Sequence, residues 1–204
     1  MNIVERVKKI LLQPGEEWGV IAAESTTTSE LYRSYIVPLA AIGPIAFVIG
    51  MSVLGLGMPF VGRFRIPLGT AISSAVVQYI LSLVGVYVLA LIVDYLAPTF
   101  SAEKNMDQAL KLTAYSMTAS WLAGIFILIP ALSVLSILLS LYGLYLLYLG
   151  IPPLMKAPQE KALPYTIVIV IAAVVIFAIF SWVPRAFISY PMPGGHMIGQ
   201  PGPF

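Results

Sequence analysis

The chain has 204 residues, 59% of them apolar and 10% charged, with a mean hydropathy of +0.94. Soluble globular domains carry about 25% charged residues, so a water-soluble fold is excluded and a polytopic, all-α membrane protein is expected. The absence of cysteine excludes disulfides, thiolate metal sites and a cysteine nucleophile, and the single histidine, His196, excludes a multi-histidine metal cage. A net charge of +2 without a basic cluster argues against nucleic-acid binding.

Residues 1–33 form a candidate cytoplasmic arm. Over residues 2–12, Ile3, Val4, Val7, Ile10 and Leu11 share one helical face, away from Glu5, Lys8 and Lys9. This pattern predicts a helix lying in the inner membrane interface. Pro14 and Gly15 end it, and a second short helix follows over about 16–24, with Trp18 suited to the headgroup region. Glu16, Glu17, Glu24 and Glu30 admit two readings, a solvated face or a surface that meets a partner, and the first is favoured. Residues 25–29 read as a polar linker, with Ser29 as N-cap of the helix leading into the membrane.

A membrane-crossing helix needs roughly 20 apolar residues. Uncharged runs place the first span at about 36–56, between Arg33 and Arg63, and the second within 66–93, between Arg65 and Asp94. No charge occurs between Lys111 and Lys156. As helix, that stretch would be roughly 66 Å long, enough for two crossings and too long for one. A sharp turn is expected at Pro130, giving spans at about 112–129 and 133–154. A fifth span runs over about 163–182 and ends at Pro184 and Arg185. Five spans are therefore expected within residues 34–185. Pro38 and Pro44 are expected to bend the first.

Lys and Arg accumulate on the cytoplasmic side of short loops. With the N-terminus inside, the inner face holds Arg6, Lys8, Lys9, Arg33, Lys104, Lys111, Lys156 and Lys161, and the outer face only Arg63, Arg65 and Arg185. The expected topology is N-terminus cytoplasmic, C-terminus outside, in an inner cell membrane. The apolar stretch after Lys9 is too short for a secretory signal, so the first span is expected to act as an uncleaved insertion signal. The 98–111 loop is expected to carry a short helix, with Glu103 and Asp107 each within one turn of a lysine. Residues 156–161 form a tight inner connection. The Pro/Gly-rich tail, 186–204, is expected to be disordered, with His196 solvated in it.

Ionisable residues inside a span are costly and draw functional suspicion. Asp94 adjoins the second span, as a proton or cation ligand or, the favoured reading, as a hydrated end residue paired with Arg33 or Lys111. Gln78 is the one amide deep in a span, explained by an interhelical hydrogen bond. Thr113, Ser116, Ser120 and Gly124 recur at helical spacing in the third span, as do Ser133, Ser136, Ser140 and Gly143 in the fourth. Close packing of two small-residue stripes is the favoured account; a polar permeation path is the alternative. Tyr142, Tyr145 and Tyr148 crowd one side of the fourth span. No nucleophile–base pair, HExxH, phosphate-binding or EF-hand pattern is present, so no catalytic residue, metal or cofactor is assigned.

Several stretches carry a resemblance: LLQPGEEWGVIAAE before the first span, YIVPLAAIGP opening it, ALKLTAYSMTASWLAGIF entering the third, and LYGLYLLYLGIPPLMKAPQEKALPYTIV joining the fourth and fifth. In order and spacing they resemble the Yip family, five-span proteins named for interaction with Ypt/Rab GTPases, and its prokaryotic branch in particular. The resemblance implies no catalytic residues. Eukaryotic members are trafficking adaptors with long cytosolic arms and a DLYGP-like element, which this chain lacks, so Rab binding is not carried over.

The expected function is that of a non-enzymatic membrane protein acting by lateral or inner-face interaction with membrane-protein partners, lipids or further copies of itself. Glu16, Glu17, Trp18, Lys104, Lys156 and Lys161 are the candidate docking residues. The competing reading is a small-solute or ion transporter or channel lined by spans two to four, in which Asp94, Gln78, Ser116, Ser120, Ser136 and Ser140 touch solute.

Overall fold

The structure, a computed structural model, describes residues 2–58, 62–129 and 132–187. His196, Pro130 and nearly all of the expected disordered tail lie outside them. Two short helices open the chain, α1 (Ile3–Leu12) and α2 (Pro14–Ala23). Asn2 caps α1 by accepting from the Val4 amide, and Pro14, whose missing N–H costs nothing in a first turn, starts α2. The next helix is capped by Thr27 and not Ser29. Glu30 stands three residues beyond Thr27, so the two close a reciprocal capping box.

That helix, α3 (Thr28–Leu54), is the first of four long and apolar enough to cross a membrane. Its course is uneven. A π turn spans Tyr32–Ile36, where Val37 donates back to the Tyr32 carbonyl just before Pro38, and the helix breaks at Ala41, three residues before Pro44. Both irregularities precede prolines that cannot donate to the ladder. A three-residue antiparallel ribbon follows, β1 (Leu56–Met58) on β2 (Gly62–Phe64), in the otherwise helical fold.

The other three long helices are α4 (Leu68–Leu96), α7 (Ser133–Met155) and α8 (Gln159–Phe187), the apolar parts of α7 and α8 being Val134–Met155 and Gln159–Trp182. Between α4 and α7 the chain is broken into α5 (Met106–Ser116), α6 (Thr118–Ala123) and a 3-10 turn (Gly124–Leu128). The expected 112–129 span is thus a segmented helix, and four candidate spans are present among the described residues. The break at Met117 and the tightening at Gly124 coincide with the run of Thr, Ser, Ala and Gly, whose small side chains leave backbone geometry to be set by neighbours.

The bundle packs tightly at one end. Tyr35, Val86, Val93, Leu110, Leu112, Tyr115, Leu146, Ile151, Tyr165 and Ile169 form one buried core with Ile10, Trp18 and Ile21 of the arm. Toward the other end the long helices expose leucine, isoleucine and valine side chains, among them Ile137, Leu138, Ile171 and Val174. Such a surface suits hydrocarbon and not water.

Candidate functional site

The arm is fixed to the charged end of the bundle by a buried polar network. Arg6 lies on the inward side of α1, where the sequence pattern puts apolar residues, while Val4 turns outward and is 69% exposed. The inversion is possible because α2 supplies two acids: the Arg6 guanidinium bonds Glu17 with Nη1 and Glu24 with Nη2. It also stands over the Tyr115 ring, 5.6 Å from its centre. Burial opposes the charge on Arg6. The Glu24 hydrogen bond, with the fields of Tyr115, Glu24 and Glu17, outweighs that and raises its pKa.

Lys111, in the middle of α5, is 3% exposed and donates to the carbonyls of Ile21 and Glu24 at the end of α2. It therefore caps a helix C-terminus, a favoured place for a cation. Burial pushes its pKa down, against the pull of Glu24 and Asp107. Gln108 donates to Ala22 O at 2.9 Å, and the Tyr142 hydroxyl to Leu11 O at 2.7 Å. Four side chains from the bundle and the arm's own acids thus hold α1 and α2 in place.

Two expected docking residues, Glu17 and Trp18, are consequently interior. Glu17 is 4% exposed because Arg6 needs it, and Trp18 is 1% exposed, edge-on to Tyr115 and not in the headgroup region. The space it occupies is provided by Gly150, where a Cβ would stand 2.8 Å from the indole ring. Glu16 remains exposed.

Beside the locked arm lies a cleft of about 740 Å³, lined by Arg6, Glu24, Glu30, Arg33 and the contacting rings of Tyr35 and Tyr115. The Tyr35 hydroxyl bonds Thr118 at 2.7 Å, and Arg33 is exposed. Next to the arm, the connections that follow α4 and α7 join into one surface. Glu103 pairs with Lys156 at 2.6 Å, its amide donates to Met155 O at 2.8 Å, and Lys161 donates to Ser101 at 2.9 Å. Phe100 stacks on Tyr165 with 4.6 Å between ring centres. Asp94 faces Lys104 at 3.8 Å, and neither Arg33 nor Lys111. Glu103 and Asp107 likewise look away from their own helical turns: Asp107 accepts from the Thr28 hydroxyl. Lys104, Lys156 and Lys161 therefore share one patch with Glu103 and Asp94.

The six residues of the alternative, permeation reading are not brought onto one path. Asp94 belongs to the charged end, and Gln78 is exposed on α4. Ser136 is tied to the Ala123 carbonyl and Ser140 to the Ser136 carbonyl. Ser116, Ser120 and Ser140 do line one cavity within the bundle. At Gly143 a Cβ would stand 3.0 Å from Ser116 O and 3.4 Å from Ser120 Oγ, so α7 lies directly against the α5 backbone and the Ser120 side chain of α6. Gly124 packs instead on Gly43 of α3, where a Cβ would meet Cα at 2.7 Å. Among the described residues no group of three His, Asp or Glu side chains is placed to hold a metal.

No solved structure matches the chain. Among curated proteins it is similar to the inner membrane protein YohC of Escherichia coli K12, at 25% identity over 156 residues, covering 75% of this chain and 80% of that protein. The YohC of the uropathogenic O6:H1 strain is similar to the same extent. The Yip1 domain model matches residues 8–180, from the second half of α1 to within α8, which takes in α2, the first three long apolar helices and most of the fourth. With that span matched, the chain belongs to the Yip1 domain family of integral membrane proteins.

Proposed function

We propose that this protein is a non-enzymatic docking component of an inner cell membrane, whose cytoplasmic face binds membrane partners or lipids. One observation carries this reading: the arm is immobilised by the buried Arg6–Glu17–Glu24 and Lys111 contacts. It thereby holds a preformed charged cleft beside the Lys104–Lys156–Lys161 patch. A binding surface gains affinity when its parts are ordered beforehand. Exposed Glu16, Glu30 and Arg33 and the three lysines are the groups available to a partner.

In this reading the segmented stretch from residue 112 to 128 is the fifth crossing, bringing the crossings to an odd number and placing the termini on opposite sides. The basic residues of the arm and inner connections then lie in the cytoplasm. Since the chain has no cysteine, single cysteines at Lys8, Lys104 and Lys156 report the topology directly. All three should resist a membrane-impermeant maleimide in intact cells and react in inverted vesicles, whereas Arg65→Cys should do the reverse. The same cysteines, carrying a photocrosslinker, should capture a reproducible membrane protein or lipid. Labelling of Lys104→Cys and Arg65→Cys from the same side would sink the five-crossing topology.

The transport reading draws on the cavity that Ser116, Ser120 and Ser140 share. Purified protein in sealed vesicles would have to pass an ion or small solute for that reading to displace the first.

A further inference from the structure

The serine-lined cavity has a character of its own. It measures about 390 Å³ and lies between α5, α6, α7 and α8, with Leu89 of α4 closing one side. Its walls are mostly aliphatic and aromatic, including Leu147, Ile169, Val174 and Phe177, with Ser116 and Ser120 one helical turn apart. Such a volume falls within the range of small-molecule sites. Water is a poor occupant, because an internal water needs two to four polar partners and an apolar cavity of this kind stays dry.

Two features point to a ligand. Ser116 is 6% exposed, and its hydroxyl has no hydrogen-bond partner. Thr113, one turn earlier, bonds its own helix at Ala109 O, whereas the Ser116 hydroxyl bonds neither its helix nor a neighbour. A buried hydroxyl left without a partner costs about 1–3 kcal/mol, a cost that a ligand accepting its proton would remove. The second feature is access. Leu141, Leu144, Val174 and Phe177 at the rim are 55%, 40%, 62% and 48% exposed, on the lipid-facing surfaces of α7 and α8. The cavity opens sideways, between these two helices.

Depth fixes the chemistry. The cavity's wall on α7 runs from Leu147 to Ser140, about 14 to 24 Å along the helix from Lys156 at the charged end, and so lies inside a ~30 Å hydrocarbon layer. A charged headgroup is excluded there by its desolvation cost. We propose that this cavity is a binding site for a neutral lipophile dissolved in the bilayer. The lipophile enters between α7 and α8 and presents one carbonyl or ether oxygen to the Ser116 and Ser120 hydroxyls. The proposal is independent of whether the cytoplasmic face docks partners.

Benzophenone is a neutral aryl ketone that inserts photochemically into nearby C–H bonds. The test irradiates it with the full-length protein in phosphatidylethanolamine/phosphatidylglycerol nanodiscs and maps the adducts by mass spectrometry. Saturable adducts are expected on residues 140–147 and 169–177, and Ala173→Phe, which fills the cavity, should remove them. A matched pair of competitors, 9-heptadecanone and heptadecane, reads the hydrogen bond. The ketone should displace the probe at an about fivefold lower mole fraction, the equivalent of one net hydrogen bond. The double variant Ser116→Ala/Ser120→Ala should abolish that difference. Adducts scattered over every lipid-facing helix without saturation would overturn the site. Equal competition by ketone and alkane in the unaltered protein would overturn the hydrogen-bonded ligand and leave a slot for acyl tails.

Discussion

Arg6 and Glu17 meet inside the protein, each side chain 5% exposed, as a buried ion pair linking the first two helices of the arm. Glu24 receives the second guanidinium nitrogen from a half-exposed position. Removing one partner of such a pair leaves the other charge uncompensated and costs about 3–5 kcal/mol, whereas replacing both with apolar residues is often neutral. Arg6→Met should therefore release the arm, seen as loss of hydrogen-exchange protection over residues 3–24 with α4, α7 and α8 unchanged. Arg6→Met combined with Glu17→Leu should recover most of the protection. If the single variant keeps full protection, the ion pair does not hold the arm.

Lys111 gives the docking of the arm a pH dependence of definite sign. Burial lowers its pKa below the ordinary 10.5. Below the lowered value the lysine is charged whether the arm is docked or free, and docking is insensitive to this group. Between the lowered value and 10.5 the free arm still leaves Lys111 protonated while the docked arm does not, so docking tightens as pH rises. Protection of the α2 amides, corrected for intrinsic exchange, should increase across that alkaline window. Lys111→Met should remove the slope and weaken docking at neutral pH, because the Ile21 and Glu24 carbonyls lose their donor.

The long helices were legible because their signal is additive. Runs free of charge over twenty or more residues set α4, α7 and α8 close to the expected 66–93, 133–154 and 163–182. The segmented 106–128 stretch shares that hydropathy, but its breaks arise from small residues whose backbone follows neighbouring helices, information that composition does not contain. In the arm, the period-3.6 pattern found the α1 helix but misplaced Val4 and gave Arg6 no face. Arg6 lies three and four residues from Ile3 and Ile10, on the apolar face. A charge there, with Glu17 and Glu24 one helix later, is the available sign of an internal pair. Lys111 and Glu103 chose partners distant in sequence over those within a helical turn, and Asp94 faces Lys104 and not Arg33 or Lys111; local spacing carries no record of such choices.

Gly150 and Trp18 make a second test of the arm's seat. A Cβ at position 150 would lie 2.6 Å from Leu112 Cδ1 and 2.8 Å from two indole carbons. Overpacking of this kind typically costs about 1–3 kcal/mol. With Trp121 and Trp182 changed to phenylalanine, the emission of Trp18 should be blue in the parent and shift red in Gly150→Ala. Gly15→Ala, with no atom near its would-be Cβ, should leave the spectrum unmoved. An unshifted Gly150→Ala would mean that the indole is not seated against α7.

Asp94→Asn separates the docking and transport readings. Asp94 Oδ2 lies 3.8 Å from the Lys104 ammonium, and the Lys104 side chain is 55% exposed. Pairs of this exposure contribute about 0–1 kcal/mol. The other carboxylate oxygen, Oδ1, is buried without a hydrogen-bond partner. Desolvation of that oxygen offsets whatever Lys104 contributes, so an amide should stand there at little cost. The expected result is a melting temperature within a few degrees of the parent and undiminished crosslinking from Lys104→Cys introduced alongside Asp94→Asn. A proton or cation pathway needs the ionisable group itself, and Asn cannot carry a proton at this position. If the parent protein dissipates a pH or cation gradient across sealed vesicles and Asp94→Asn abolishes that flux at equal stability, Asp94 is a transport residue and the docking account fails.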